Sequence, residues 1–166
     1  MSTITTFGLL SSSTHGDTTN VLLSPSASLA EPWVQGTPLR LLRLEAAALF
    51  VTSLFAFRAF DGSWWMFVAF FLVPDLAMLG YLAGPQWGAR AYNAAHTLTI
   101  PLILGVLAAL NEQWSWLPIL TVWTAHIGFD RMLGYGLKYG NAFGSTHLGR
   151  IGRYRAGVEP EGGVVD

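Results

Sequence analysis

The sequence LTVWTAHIGFDRMLG, residues 120–134, is an apolar run that carries three ionisable side chains near its end. These are His126, Asp130 and Arg131, which fall within six residues of one another. The rest of the run has the composition of a helix that crosses a membrane. A charged group there costs free energy unless it is paired or lines a cavity. The three residues are therefore the first candidates for a functional site.

The composition of the whole chain points to an integral membrane protein. Of 166 residues, 52% are hydrophobic and 11% are charged, and the mean hydropathy is +0.43. Soluble domains carry roughly 25% charged residues, so this chain has too little charge to cover a water-facing surface. The net charge of -1 predicts no nucleic-acid partner, and the absence of cysteine excludes disulfides and thiolate ligands.

The chain contains four apolar segments, each near the roughly 20 residues that a helix needs to cross a bilayer. They are Leu41–Phe60, Ser63–Gly84, Ala89–Leu110 and Trp114–Leu137. The connections between them are short, which makes sequential helices antiparallel neighbours. The sequence therefore predicts an all-α fold, an integral membrane four-helix bundle.

The predicted domain organisation has three parts. Residues 1–36 are rich in Ser and Thr and contain no Lys or Arg, which predicts a disordered N-terminal tail. Residues 37–140 form the four-span membrane bundle. Residues 141–166 are a basic, Gly-rich cytoplasmic tail.

Lys and Arg are distributed unevenly between the two ends of the predicted bundle. One end has only Arg58. The other end has seven basic residues, namely Arg40, Arg43, Arg90, Lys138, Arg150, Arg153 and Arg155. By the positive-inside rule, both termini face the cytoplasm. The predicted location is the cell (inner) membrane, as a multi-pass protein.

All four segments place their polar groups in the cytoplasmic half of the membrane. At about 1.5 Å per residue, Asp75 lies roughly 13 Å from the cytoplasmic end of its segment. His126 and Asp130 are four residues apart and share a helix face, as do Tyr92 and His96. Ionisable groups within membrane spans usually face the bundle interior and pair there. We therefore expect Asp75, His96, His126 and Asp130 to surround one pocket.

The candidate site residues fall into three groups. The predicted catalytic residues are Asp75, His96, His126 and Asp130. The predicted metal ligands are His96, His126 and Asp130, for zinc or iron, because those metals accept imidazole and carboxylate together. The predicted ligand-binding residues are Glu45, Tyr92, Asn93, Arg131 and His147.

Alternatives to the metal site stay open from sequence alone. The cluster fits an acid–base or ligand-binding site without metal, and it also fits ion pairs that lock the helices together. His147 lies beyond the last segment in a basic, Gly-rich stretch. It is an ordinary tail residue unless that stretch folds back over the mouth of the pocket.

Three classes of function fit these patterns. The first is a membrane-embedded enzyme or binder for a lipid or isoprenoid-like ligand that enters from the lipid bilayer. The second is a small proton- or cation-coupled transporter subunit, although the apolar outward half counts against a continuous path through the monomer. The third is a structural or assembly protein.

Small residues such as Gly128 permit close packing within one bundle or in a homo-oligomer.

Four stretches of the chain resemble a family of small bacterial membrane proteins known as domain of unknown function 4260. They are LLRLEAAALF, FLVPDLAMLGYLAGP, AYNAAHT and AHIGFDRMLGYGLKYGNAFGSTHLGRIGR, which together span about Leu41 to Arg153. The last stretch is the most specific. The candidate site residues fall inside these stretches. The resemblance implies the membrane fold and brings no reaction with it.

Overall fold

Helices form nearly all the regular structure in residues 33–140 and 143–151, which the computed structural model describes. The α-helices are α1 (Gly36–Ala59), α2 (Trp64–Phe71), α3 (Pro85–His96), α4 (Thr99–Leu110) and α5 (Leu117–Leu133). Two 3-10 helices span Val73–Ala83 and Trp114–Trp116, and a short hairpin joins β1 (Ser145–Thr146) to β2 (Gly149–Arg150). The predicted disordered tail lies outside the described residues as far as residue 32.

The protein is mostly helical, as the sequence predicts. Two segments, Trp64–Ala83 and Pro85–Leu110, are long and apolar enough to cross a membrane, with mean hydropathies of 1.9 and 1.6. The first combines α2 with the long 3-10 helix, and the second combines α3 with α4. Of the other two segments, α1 has 24 residues but carries four charged side chains, and α5 has 17 residues. Their crossing of a membrane, and hence the four-span bundle, stays a prediction.

Helix α5 packs against α1, α2 and α4. The approach to α1 is closest at Gly128, where an added Cβ would lie 2.9 Å from the Phe50 backbone nitrogen and 3.1 Å from the Ala46 carbonyl oxygen. On the side of α2, the Phe71 ring meets the Phe129 ring edge-on, with centroids 5.7 Å apart. The middle of α5 is therefore the most enclosed part of the described chain.

The long 3-10 helix packs against α3, and the chain reverses between them at Gly84, whose φ is 112°. Close approach relies on Gly80 and Gly88, since an added Cβ on either would lie within 3.0 Å of the other segment. Asp75 lies nine residues before Gly84, and His96 lies twelve residues after it. At about 2.0 Å per residue for a 3-10 helix and about 1.5 Å for an α-helix, both lie about 18 Å from the turn. The 3-10 geometry therefore brings Asp75 level with His96.

The predicted third segment differs from the observed one at both its start and its middle. Residues 85–88, expected to be a connection, form the first turn of α3, where Pro85 is favourable because the first turn needs no N–H partner. The helix then breaks at Thr97 and Leu98. Pro101 has no N–H to donate to the Thr97 carbonyl, so the α-helical hydrogen-bond pattern cannot continue through that point. His96 is consequently the last residue of α3.

The stretch after α5 folds back onto the helices. The hairpin pairs Ser145 with Arg150, and the His147 backbone nitrogen donates to the Leu137 carbonyl at 3.2 Å. The Val34 nitrogen in turn donates to the His147 carbonyl at 3.1 Å, which ties the hairpin to the residues before α1. Residues 143–151 of the predicted tail thus belong to the folded structure.

Candidate metal centre

The side chains of Asp75, His96, His126 and Asp130 converge on one point, and each offers a ligand atom within 4.8 Å of the other three. The Nε2 atoms of the two histidines are 3.1 Å apart. The Asp75 Oδ1 atom lies 3.5 Å from Nε2 of one histidine and 3.6 Å from Nε2 of the other. The Asp130 Oδ2 atom lies 3.5 and 3.9 Å from the same two nitrogens. This group could hold a metal ion.

These separations match the edges of a small coordination polyhedron. Zinc binds imidazole nitrogen and carboxylate oxygen at about 2.1 Å, so tetrahedral ligands around it lie about 3.4 Å apart. The nitrogen–nitrogen and nitrogen–oxygen distances in the cluster run from 3.1 to 3.9 Å. The nitrogen–nitrogen distance and the four nitrogen–oxygen distances are therefore close to the spacing that a first-row metal requires.

His96 is held in the tautomer that a metal ligand needs. Its Nδ1 atom lies 2.9 Å from the Tyr92 carbonyl oxygen, which can only accept a hydrogen bond. Nδ1 therefore carries the proton, and Nε2 presents its lone pair to the centre of the cluster. Metal-binding histidines commonly donate their second ring N–H to a backbone carbonyl in this way.

His126 lies deepest in the cluster, with a side chain only 2% exposed. The Phe71 ring packs edge-on against its imidazole, with ring centroids 5.3 Å apart. Its Nδ1 atom is buried and has no hydrogen-bond partner among the residues described. An unpaired buried nitrogen is costly, and a metal-binding histidine usually donates its second ring N–H to a partner, which His126 lacks in the described part of the chain.

The carboxylates bring negative charge that no neighbouring cation in the described chain offsets through an ion pair. Among the basic residues of the ranges 33–140 and 143–151, only the two histidines lie within 4.0 Å of the Asp75 and Asp130 carboxylates, and no Lys or Arg does. Their side chains are 30% and 16% exposed, whereas those of the histidines are 4% and 2% exposed. The cluster therefore has a closed imidazole side and a more open carboxylate side.

Tyr92 supports the cluster from one turn earlier on α3. Its ring stacks on the His96 ring with centroids 3.7 Å apart, and its hydroxyl donates to Asp130 Oδ2 at 3.1 Å. A single residue thus contacts candidate metal ligands from two helices. It orients both of them, which is the role of the outer contacts of a metal site.

The carbonyl groups at the end of α3 are satisfied by side chains from α5. Trp123 Nε1 donates to the Ala95 carbonyl at 2.6 Å, and an Arg131 guanidinium nitrogen lies 3.4 Å from the His96 carbonyl. Helix ends leave such carbonyls without partners inside the helix, so these contacts fix the end of α3 against α5. They hold His96 opposite His126.

Lys138 is a buried neighbour of the cluster that sequence reasoning treated only as a basic surface residue. Its side chain packs on the Tyr92 ring, with Nζ 4.9 Å from the ring centroid, and Nζ donates to the Phe143 carbonyl at 2.9 Å. Burial lowers the pKa of Lys138 to about 8, although the carboxylates of Asp130 and Asp75 favour its charged form. The one sequence signal was its place in the Gly-containing stretch after α5, five residues beyond Leu133, where the chain turns back.

Asn93 clamps the Lys138 backbone to α3. The Asn93 Nδ2 atom donates to the Lys138 carbonyl at 2.9 Å, and Oδ1 accepts from the Lys138 nitrogen at 2.7 Å. This pair of bonds copies the pairing between two strands. Asn93 therefore stabilises the fold around the cluster and does not face its centre.

Glu45 and His147, the remaining predicted ligand-binding residues, lie elsewhere. They line a cavity of about 140 Å³ that Arg131 also lines, and Asp75, His96, His126 and Asp130 do not line it. The predicted ligand-binding set thus divides between two places: Tyr92 contacts the cluster of two aspartates and two histidines, while Glu45, Arg131 and His147 line the second cavity.

Comparison with known proteins identifies a family for this chain. No curated protein and no solved structure shows significant similarity to it. One family model, that of a domain of unknown function (DUF4260), matches residues 39–151. The match begins in α1 and ends just after β2, so it includes all four residues of the cluster. Because it covers well over half of the 166 residues, the chain belongs to the DUF4260 family.

Proposed function

We propose that this chain is an integral membrane protein that binds one divalent metal ion between Asp75, His96, His126 and Asp130. We further propose that the site is catalytic and acts on a lipid or isoprenoid-like substrate. The observation that carries the proposal is the convergence of four ligand atoms, two of nitrogen and two of oxygen, within 4.8 Å.

The distribution of apolar side chains supports the membrane location. Large apolar groups are exposed along the helices, with Leu82 89% and Trp65 85% exposed, whereas the polar side chains of His126 and Lys138 are almost fully buried. Soluble monomers rarely expose contiguous apolar patches larger than a few hundred Å². A bilayer would cover this surface. We propose the inner membrane of the cell as the location. The distribution of Lys and Arg would then place both termini on the cytoplasmic side.

Charge and ligand type support a divalent metal. Two carboxylates and two neutral imidazoles carry a net charge of about -2, which a divalent cation neutralises. Imidazole and carboxylate together suit zinc and iron better than calcium or magnesium, which prefer oxygen alone. We therefore propose zinc or iron as the ion.

The arrangement of residues supports catalysis over a purely structural role. A bound metal ion of this type polarises a substrate oxygen or lowers the pKa of a bound water. The carboxylate side is the more open one, and Asp75 is the most exposed of the four side chains. With His96, His126 and Asp130 as the three protein ligands of a catalytic site, Asp75 would lie beside the open coordination position and would accept a proton from water or substrate there. The Tyr92 hydroxyl keeps the Asp130 carboxylate oriented toward the histidines. The stacked rings of His96 and Tyr92 keep the imidazole from rotating out of place.

Elemental analysis of detergent-purified protein tests the metal site. We expect close to one zinc or iron per chain in the wild type and loss of that metal in His126→Ala and Asp130→Ala. The matched controls are His147→Ala and Asp61→Asn, which change the same residue types outside the cluster and should keep the metal. A well-folded wild type without metal, even after loading with zinc and iron salts, would refute the site.

Cobalt substitution separates a catalytic site from a structural one. Catalytic sites keep a coordination position for water or substrate, whereas structural sites are closed by protein ligands. We expect azide to change the visible absorption of the cobalt-loaded protein in a saturable way. A spectrum that azide leaves unchanged would mean a closed site, and the catalytic part of the proposal would be wrong while the metal site stands.

A further inference from the structure

The cavity between α1, α5 and the hairpin has a lining unlike that of the metal cluster. Its volume is about 140 Å³, and it is partly open to its surroundings. Its polar lining comes from Glu45 on α1, Arg131 on α5 and His147 in the hairpin turn, and leucines supply most of the rest. It is therefore a small mixed pocket with one acidic and two hydrogen-bond-donating side chains.

The acidic and basic residues of this cavity do not neutralise one another. Glu45 and Arg131 both line it, yet no ion pair within 4.0 Å joins them. Within the described ranges, the Glu45 carboxylate has no hydrogen-bond partner, and Arg131 makes only its 3.4 Å contact with the His96 carbonyl. A guanidinium has five N–H donors, so most of those of Arg131 are left for a ligand.

His147 is a donor in this cavity because its other nitrogen is already used. Its Nδ1 atom accepts a hydrogen bond from the Leu137 backbone nitrogen at 2.9 Å, so the proton of the neutral ring lies on Nε2. Burial lowers the pKa of His147, and the nearby Arg131 guanidinium lowers it further. The ring is therefore neutral near pH 7 and offers one N–H.

The combination selects for a ligand that carries both signs of charge. Inorganic phosphate would meet Arg131 and His147 favourably, but Glu45 would repel it. A simple amine would pair with Glu45 and be repelled by Arg131. A phosphate joined to an ammonium by a short methylene chain satisfies all three residues, and the leucines Leu42, Leu98 and Leu148 can contact the methylenes.

We propose that this cavity binds a phosphoethanolamine-type group, with its phosphate on Arg131 and His147 and its ammonium on Glu45. Such a group occurs as the headgroup of a phospholipid and as a free soluble molecule. The site is separate from the metal cluster and does not depend on a metal being bound there.

Titration calorimetry on the full chain in non-ionic detergent tests the proposal with three probes. They are a six-carbon-chain phosphatidylethanolamine, the matching phosphatidylglycerol, which lacks the ammonium, and free O-phosphoethanolamine. We expect the wild type to prefer phosphatidylethanolamine to phosphatidylglycerol. Glu45→Gln should weaken the affinity for phosphatidylethanolamine by about fivefold, which is the loss expected for a partly exposed ion pair. The same variant should bind phosphatidylglycerol as tightly as the wild type or more tightly.

A second variant guards against misfolding. His147→Asn places a hydrogen-bonding atom near the position of Nδ1, so the contact with Leu137 can persist, but it removes the Nε2 donor. We expect this variant to bind both lipids more weakly than the wild type does. The control is Glu112→Gln, an exposed carboxylate in the connection between α4 and α5, which should change neither affinity.

The outcomes separate the sources and can refute the proposal. Binding of the lipid but not of the free molecule, with the Glu45→Gln effect, assigns the site to a lipid headgroup. Equal binding of O-phosphoethanolamine, with the same effect, assigns it to a soluble ligand. Equal affinity of the wild type for the two lipids, or an unchanged affinity in Glu45→Gln, would overturn the proposal.

Discussion

At the scale of single residues, Tyr92 shows how closely the cluster is constrained. Its ring covers the His96 imidazole while its hydroxyl binds Asp130, so one side chain orients two ligands. The Tyr92→Phe variant keeps the ring and removes only the hydroxyl. Loss of such an outer contact typically weakens metal affinity by about 10-fold to 100-fold. We expect a weakening of at least about 10-fold, measured by competition with a chelator of known affinity.

The control for this variant is Tyr81→Phe. The Tyr81 hydroxyl is buried but has no hydrogen-bond partner in the described part of the chain, and the Tyr81 ring packs edge-on against Phe143. Its removal should leave metal affinity unchanged. Equal affinities in wild type and Tyr92→Phe would show that the hydroxyl does not orient Asp130.

Lys138 makes stability depend on pH in the alkaline range. Burial lowers its pKa from 10.5 to about 8 in the folded protein. Between those values the unfolded chain holds the proton more strongly than the folded chain, so the residue's contribution to the free energy of unfolding increases as pH rises. A difference of about 2.5 pKa units corresponds to about 3 kcal/mol across that window.

The Lys138→Met variant removes the titrating group and keeps much of the side-chain packing. We expect the stability of the wild type relative to this variant to rise by up to about 3 kcal/mol between about pH 8 and 10.5, and to be constant below pH 8. Denaturant unfolding in detergent at several pH values measures the difference. Parallel stability curves for the two proteins would contradict the lowered pKa.

At the scale of elements, the contact between α1 and α5 depends on a missing side chain. An added Cβ at Gly128 would press on backbone atoms of α1, which cannot move aside as a side chain can. Gly128→Ala should therefore force the two helices apart and destabilise the protein by about 1–3 kcal/mol. Thermal unfolding in detergent measures the change.

Gly105 provides the matched control within α4. An added Cβ there meets nothing within 4 Å in the described structure. Because alanine loses less conformational freedom than glycine in a helix interior, Gly105→Ala should stabilise the protein by about 0.5–1 kcal/mol. If both variants changed stability in the same direction by similar amounts, close packing at Gly128 would not be the cause.

At the scale of the whole molecule, the proposed topology predicts which ends of the helices meet each side of the membrane. The chain has no cysteine, so single cysteines can be introduced for labelling. Gln113 lies between α4 and α5, and Gly140 follows α5, so the two positions are separated by that helix. In intact bacterial cells, a maleimide that cannot cross the membrane should label Gln113→Cys and should not label Gly140→Cys. After lysis, it should label both variants.

Two other results would change the topology. Labelling of only Gly140→Cys in intact cells would reverse the orientation that Lys and Arg predict. Equal labelling of both positions before lysis would show that α5 does not separate the two sides of a membrane.

Much of the candidate site could be predicted from sequence because its signals are local. His126 and Asp130 share a helix face through their spacing of four residues, and Tyr92 and His96 do the same on α3. The distance of each polar residue from the end of its segment then predicted that these residues lie in the same half of the membrane. These inferences need only the helical repeat and the cost of isolated charge in an apolar segment.

Other features depend on how the segments pack. The sequence-based depth of Asp75, roughly 13 Å from the turn, assumed an α-helical rise. The observed 3-10 rise moves it to about 18 Å, level with His96. An uninterrupted 3-10 helix of 11 residues is uncommon, and its contact with α3 across Gly80 and Gly88 is a feature of the packed structure. No local pattern in the sequence predicts it.

By itself, the sequence determined the helical class of the protein, the approximate bounds of four apolar segments and the four residues that converge as a candidate metal site, because the helical repeat and the cost of isolated charge act locally. Only the tertiary structure decided that Lys138 is buried beside Tyr92, and that Glu45 and His147 line a cavity of their own. The physical reason is that hydrogen bonds between distant parts of the chain, such as those from Asn93 to Lys138 and from Leu137 to His147, fold the last residues back onto the helices. Such contacts form only once the helices have packed.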